Sequence, residues 1–154
     1  MHFRESAGLK ESNYNKEIFE ENNVELPKTF DEFLDVCTTF QNAGVTPLAA
    51  GLKSWEPLLK SSMAFVTAEY LSTDEGKGFG EKYRNGEVTM DGTWNPYIET
   101  WSQLIDNGVY TADMTGIDHD QALEQFATGG SAMFCSGPWD YDAIMEKIRS
   151  YSLT

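Results

Sequence analysis

Phe30, Phe33, Leu34, Cys37 and Phe40 recur at helical spacing, and the polar residues between them leave a single apolar stripe. Pro27 and the run Thr29-Phe30-Asp31-Glu32 mark where this helix starts. The Thr29 hydroxyl is placed to accept from the Glu32 amide while the Glu32 side chain reaches back, a capping box. Asn42-Ala43-Gly44 supplies the stop. The pattern then changes: Val45 to Ala50 is a short apolar run between Gly44 and Gly51, which suits a buried strand, and Pro47 pushes it toward an edge or a bulge. Ser54 can cap a second helix, with Leu58, Leu59, Met63, Val66 and Tyr70 on its buried face, before the glycine-rich loop from Ser72 to Gly80.

The second half repeats this alternation. Asn85-Gly86 and Asp91-Gly92 read as turns around Glu87 to Met90, a short strand or extended link. Asn95-Pro96 places a cap residue before a first-turn proline, and Ile98, Trp101, Leu104 and Ile105 carry the helical period to the stop at Asn107-Gly108. Asp118 to Gln121 repeats the capping logic ahead of Leu123 and Phe126, and Gly129-Gly130 ends that helix. Ser131 to Ser136 is a buried strand, Gly137-Pro138-Trp139 breaks the chain, and Ala143, Ile144, Ile148 and Tyr151 give a last helix its apolar side. Helices alternating with short apolar strands predict an α/β fold, and 154 residues without repeat or linker predict one domain.

Charge narrows the partners. Eleven Lys plus Arg stand against 25 Asp plus Glu, a net charge of −14 that repels phosphate backbones and anionic membrane surfaces. The densest basic stretch, Lys77, Lys82 and Arg84, is interrupted by Glu75 and Glu81, so nucleic acid is not expected as a partner. The sequence has no run of the roughly 18 apolar residues that a membrane span needs. The opening Met-His-Phe-Arg-Glu-Ser lacks the basic and apolar regions of a signal peptide. Cys37 and Cys135 are too few for a disulfide framework, show no metal-ligand spacing with His2 or His119, and suit apolar elements as thiols.

Trp139 stands at a strand-to-helix junction, where open α/β sheets bind ligands and where helix N-termini point amides at the crevice. Its flat apolar face matches the C–H face of a sugar ring, and Tyr141 adds a second ring and a hydroxyl; the alternative is that Trp139 fills a gap in the core. Trp101 shares a stripe with Ile98 and Ile105 and reads as core, and Trp94, ahead of Asn95-Pro96, reads as a hydrophobic staple. Enzyme chemistry finds little footing. Asp118, Asp120 and Glu124 cluster as a glycosidase pair would, yet they read as a helix cap, a first-turn charge and an exposed position. Neither Ser131 nor Cys135 sits in a nucleophile motif, and Asp118-His119-Asp120 lacks the glycine and later glutamate of a calcium loop. No catalytic residue, metal or cofactor is expected.

The order of segments resembles the extracellular solute-binding proteins that deliver sugars to ABC importers, the maltose-binding-protein-like family. Tyr14-Asn15-Lys16-Glu17-Ile18-Phe19 is similar to the family's Tyr-Asn-Lys segment, and Pro27-Lys28-Thr29-Phe30-Asp31-Glu32-Phe33 to its Pro-x-Thr-Trp-x-Glu helix start, with Phe30 where Trp is usual. Asn42 to Gly51 resembles its Ala-Gly-x-x-Pro-x segment, and Asn107-Gly108 falls where family members close a helix. Ala122 to Met133 resembles the helix, glycine and Ala-Met strand that follow, and Gly137-Pro138-Trp139 completes the series.

That resemblance implies a periplasmic-binding-protein-like lobe, mostly helical with a small sheet. It matches most of the C-terminal lobe of a two-lobe protein and is truncated relative to the full fold. Met1 to Asn13 is expected to replace the strand and hinge found upstream in the family, and Thr154 falls before its later strand and helices. The resemblance further implies that Trp139 stacks on a sugar, that Tyr141 flanks it, and that Trp55 and Glu56, after the Val45 to Ala50 strand, touch ligand. For Glu56 the alternative is a negative charge favoured at a helix N-terminus. Tyr14 is placed near the cleft by family position and at a helix start by local sequence. The function implied is binding of a mono- or oligosaccharide without chemistry, for the membrane permease of an ABC importer, in the periplasm or as a cell-surface lipoprotein. A carbohydrate-active hydrolase domain or a protein-interaction module, self-associating through exposed apolar surface, are the alternatives.

Overall fold

The computed structural model describes residues 12–151; the Met1–Ser6 opening and the last three residues lie outside them. A three-stranded sheet sits at the centre, in the order β1-β3-β2, formed by β1 (Ser12–Tyr14), β2 (Leu48–Ala49) and β3 (Met133–Cys135). β2 runs parallel to β3, with Leu48 opposite Met133 and Ala49 opposite Phe134, while β1 runs antiparallel on the other side. Helices α1 (Lys16–Glu21), α2 (Phe30–Asn42), α3 (Trp55–Val66), α4 (Phe79–Arg84), α5 (Asn95–Asp106), α6 (His119–Ala127) and α7 (Tyr141–Tyr151) make up most of the rest. The α/β class and the mostly helical lobe with a small sheet are therefore as expected.

Strand alternation divides the core in two. Leu48 and Met133 face a larger cluster with Phe19, Phe33, Cys37, Phe40, Phe65 and Leu104. Ala49 and Phe134, one residue on, face a smaller cluster with Ala122, Leu123, Phe126 and Ile144 from α6 and α7. Helices thus cover both faces of the sheet, the arrangement that a two-sided apolar strand requires.

The helix starts follow their caps. Thr29 Oγ1 accepts from the Glu32 amide at 3.2 Å, but the Glu32 carboxylate takes the Lys28 amide at 2.6 Å, so the expected box closes one residue early. Asp118 and Gln121 do form the reciprocal box, at 3.0 Å in each direction. Several expectations shift. The Val45 to Ala50 run contributes only Leu48–Ala49 as a strand, at an edge as Pro47 implies, although the Thr46 and Pro47 carbonyls also accept from the amides of Ala132 and Met133. Glu87 to Met90 forms no strand. Helix α5 is capped by Trp94 rather than Asn95, whose side chain instead donates to Asp91 at 2.5 Å. Leu59, Ile105, Ala143 and Tyr151 turn outward, while Phe65 takes a buried place on α3. Of the Met1 to Asn13 segment, expected to replace the family's upstream strand and hinge, residues 1–11 lie outside the described residues, and Ser12 and Asn13 pair with β3 as part of Ser12–Tyr14.

Helix α3 runs on into a π-helical turn, Thr67–Leu71, and packs most closely against α5. The Trp101 indole N–H donates to Ser61 Oγ at 3.0 Å and locks the two helices together, the structural role expected of Trp101. Trp94 stacks on Phe79 with centroids 5.1 Å apart, so it too belongs to the packing. Among the described residues, no helix is long and apolar enough to cross a membrane.

Candidate functional site

Because β2 and β3 are parallel neighbours, their carboxyl ends deliver two loops to the same edge of the sheet. The first, Gly51 to Ser54, leads into α3; the second, Ser136 to Asp140, leads into α7. Between them lies a cleft of about 820 Å³. Glu56, Lys60 and Met63 line it from α3, Cys135, Ser136 and Trp139 from the end of β3, and His119 from the start of α6. Gly51 explains how α6 comes so near: a Cβ there would fall 2.7 Å from the Asp118 carbonyl carbon and the His119 nitrogen. The backbone of α6 can approach β2 only because Gly51 carries no side chain.

The loop after β3 is braced by its own polar groups. Asp140, nearly buried, accepts from the Ser136 hydroxyl and lies 3.1 Å from His119 Nε2 through the same carboxylate oxygen. The Asp140 amide donates to the Gly137 carbonyl at 3.2 Å. Held this way, the turn displays Trp139, whose surface is 60% exposed. The Lys60 ammonium stands over its ring, 5.5 Å from the centroid, and lies 3.7 Å from Glu56 Oε1 one helical turn away. The Ser54 hydroxyl caps this same helix, accepting from the Glu56 amide at 3.4 Å.

Beneath the cleft runs a chain of buried polar side chains. Ser61 accepts from Trp101 and also bonds Tyr110, whose hydroxyl lies 3.7 Å from Cys135 Sγ. Burial first, and then the neighbouring Cys135 charge, push the Tyr110 hydroxyl well above the ordinary tyrosine range. Tyr110 is therefore a neutral donor and acceptor at physiological pH. Cys37, deep in the larger cluster, is pushed up to about 12 by burial alone, and no disulfide joins Cys37 to Cys135.

Of the residues singled out from sequence, the cleft brings Trp139 and Glu56 together. Trp55 sits between the lining residues Ser54 and Glu56 but turns outward, 69% exposed, and Tyr141 follows the braced loop without lining the cleft. Tyr14 packs edge-on to Phe19 at 5.4 Å, beside the larger core cluster, and does not line the cleft either. Lys60, His119, Ser136 and Asp140 were not singled out as site residues. Only Lys60 carried a local signal, its helical spacing of four from Glu56. Asp118 is a cap, and Glu124 pairs with Lys147, so neither points to paired-carboxylate chemistry. Among the described residues, no His, Cys, Asp and Glu side chains gather as a metal would need.

Residues 12–152 match the family model of the bacterial extracellular solute-binding proteins. A "Multiple sugar-binding protein" of Streptococcus mutans serotype c (strain ATCC 700610 / UA159) is 24% identical over 141 residues, which cover 91% of this chain and 34% of that protein. A solved structure from work on xylan utilization by the thermophilic bacterium Caldanaerobius polysaccharolyticus is similar at a TM-score of 0.68 and 27% identity, over 80% of this chain and 31% of its own. A chitin oligosaccharide binding protein is similar at a TM-score of 0.68 and 24% identity, over 90% and 34%. The chain thus spans about a third of the length of the relatives it matches.

Proposed function

This chain belongs to the bacterial extracellular solute-binding proteins, and we propose that its residues 1–154 make a single domain, most of the C-terminal lobe of a two-lobe binding protein, whose cleft holds one side of a carbohydrate. The observation that carries this reading is Trp139, a flat indole kept 60% exposed on a braced loop at the edge of a cleft. What sets Trp139 apart from the other exposed aromatics is its place in the lining of the cleft, and the C–H face of a sugar matches its shape and polarity. Glu56 supplies a carboxylate that can accept paired hydroxyls at the opposite wall. Trp55, exposed next to the lining residue Glu56, and Tyr141, exposed just after the braced loop, are assigned to a saccharide longer than one ring, and Tyr14 to the hinge side of the lobe.

The mechanism is recognition without chemistry. The indole removes the apolar sugar face from water, polar groups replace the hydroxyls' hydrogen bonds to water, and an opposing lobe closes over the ligand. In the full protein this delivers the sugar to the permease of an ABC importer, outside the cytoplasm. The two relatives whose printed descriptions concern several sugars and xylan support a neutral saccharide as the ligand. One aromatic stack and a few exposed hydrogen bonds hold it at about millimolar affinity.

Saturation-transfer NMR on the chain and its Trp139→Ala variant tests this, with xylo-oligosaccharides and a mixture of neutral mono- and oligosaccharides as probes. Transfer to one sugar class that vanishes in the folded variant is the expected result. Transfer that survives in the variant removes Trp139 from the site, and newly formed reducing ends overturn the reading in favour of a hydrolase.

A further inference from the structure

The indole of Trp139 does not simply project from its loop; it folds back over Gly137, two residues before it. A Cβ placed on Gly137 falls 2.2 Å from Cζ3, 2.3 Å from Cη2 and 2.7 Å from Cε3 of Trp139, distances at which two carbons cannot coexist. The backbone does not require glycine here. Gly137 has φ −99° and ψ −173°, extended geometry open to any residue. Nor can the backbone yield easily, since Ser136 and Asp140 on either side are tied to one another, Asp140 is tied to His119, and the Asp140 amide bonds the Gly137 carbonyl. The first thing a side chain at this position meets is therefore the indole itself, whose atoms are the three nearest.

We propose that Gly137 is a positioning residue: its missing side chain is the seat that lays the Trp139 ring beneath the Lys60 ammonium, in the plane a sugar would stack upon. This inference rests on the stacking role given to Trp139 above, and it assigns the glycine a task separate from chain folding. With any larger residue the indole must rotate to another staggered position, away from Lys60, while the fold beneath stays as it is.

Proton NMR of the chain with 13C-labelled lysine reads the seat without any ligand. In the wild type one Gly137 Hα and the Lys60 Hε protons are expected to be shifted upfield by the indole ring current, and both shifts are lost in Trp139→Ala. In Gly137→Ala the Lys60 shift is lost too, while the urea midpoint stays at or above that of Trp139→Ala. A folded Gly137→Ala that keeps the Lys60 shift overturns the proposal, because the indole then fits beside a methyl group. If Gly137→Ala does not fold, the double variant with Trp139→Ala decides. Recovery of the Trp139→Ala midpoint identifies the indole as the only obstacle, and continued unfolding shows that the glycine serves the backbone and overturns the seat. A chain with the seat intact but no saturation transfer to saccharides counts against carbohydrate binding and not against the seat.

Discussion

The bond between Trp101 and Ser61 joins α5 to the helix that carries Glu56 and Lys60, so its energetics bear on how rigidly one wall of the cleft is held. In Ser61→Ala the indole N–H, partly buried between the helices, loses its acceptor and has only limited access to water. Orphaning such a donor costs about 1–3 kcal/mol, and the partial exposure of Trp101 places this case near 1–2 kcal/mol. For a chain of this size that corresponds to a fall in Tm of about 3–6 °C. Trp101→Phe removes the donor instead and, with it, part of the ring's packing against Tyr110. In the double variant neither member of this pair is left orphaned, and any loss at Tyr110, which Ser61 also bonds, is common to both backgrounds. The second substitution is then expected to cost about 0.5–1.5 kcal/mol less than it does alone. Urea melts of the four proteins, compared at matching m-values, measure this coupling directly. Costs that simply add, within about 0.5 kcal/mol, would refute the argument and leave the Trp101–Ser61 contact as proximity without energy.

Two further outcomes follow from burial. Leu104→Ala, at a fully buried site, is expected to cost about 2–5 kcal/mol, whereas Ile105→Ala, half exposed one residue on, should stay within about 0.5 kcal/mol; comparable losses in urea melts would mean that α5 faces the core differently. Cys37 gives a pH dependence with a definite sign. Its thiol is protonated in both states below the unfolded value of 9.0, and burial holds it protonated in the fold up to about 12. Between these limits only the unfolded chain ionises, so the contribution present below 9.0 is lost as pH rises toward 12. The stability gap between wild type and Cys37→Ala should therefore narrow by roughly 1 kcal/mol per pH unit across that window, and a gap that stays constant from pH 8 to 11 would count against it.

The helices were legible because caps and periods are local facts: Thr29, Ser54 and Asp118 each accept a first-turn amide as their positions implied. The strands were harder because each is two or three residues long, and β1, Ser-Asn-Tyr, has no apolar alternation; it is a strand only because β3 is there to pair with it. Leu59 and Ile105 sit at the edges of their stripes, where the period alone does not say which side of the boundary is wet. Trp139 could be picked out from its strand-to-helix junction, but His119 and Asp140 could not, since the contact between them exists only once α6 and the loop after β3 are brought to the same sheet edge.

The glycines show most clearly what kind of information a sequence withholds. Gly44 and Gly129, with φ of +74° and +76°, end helices, and that role follows from their position after an apolar period. Gly51 and Gly137 were read as the same punctuation, yet neither adopts positive φ. One makes room for the backbone of Asp118 and His119, the other for the ring of Trp139. Both are needed for the space a side chain would fill, and both border the cleft. A glycine that serves a turn is recognisable from its neighbours in sequence, whereas one that serves an approach is defined by what arrives from elsewhere. In this chain the approaching groups are the start of α6 and the candidate stacking residue itself. Gly51 and Gly137 are therefore close-approach glycines that shape the site, whereas Gly76, equally without positive φ, makes room for the Tyr70 carbonyl outside the cleft lining.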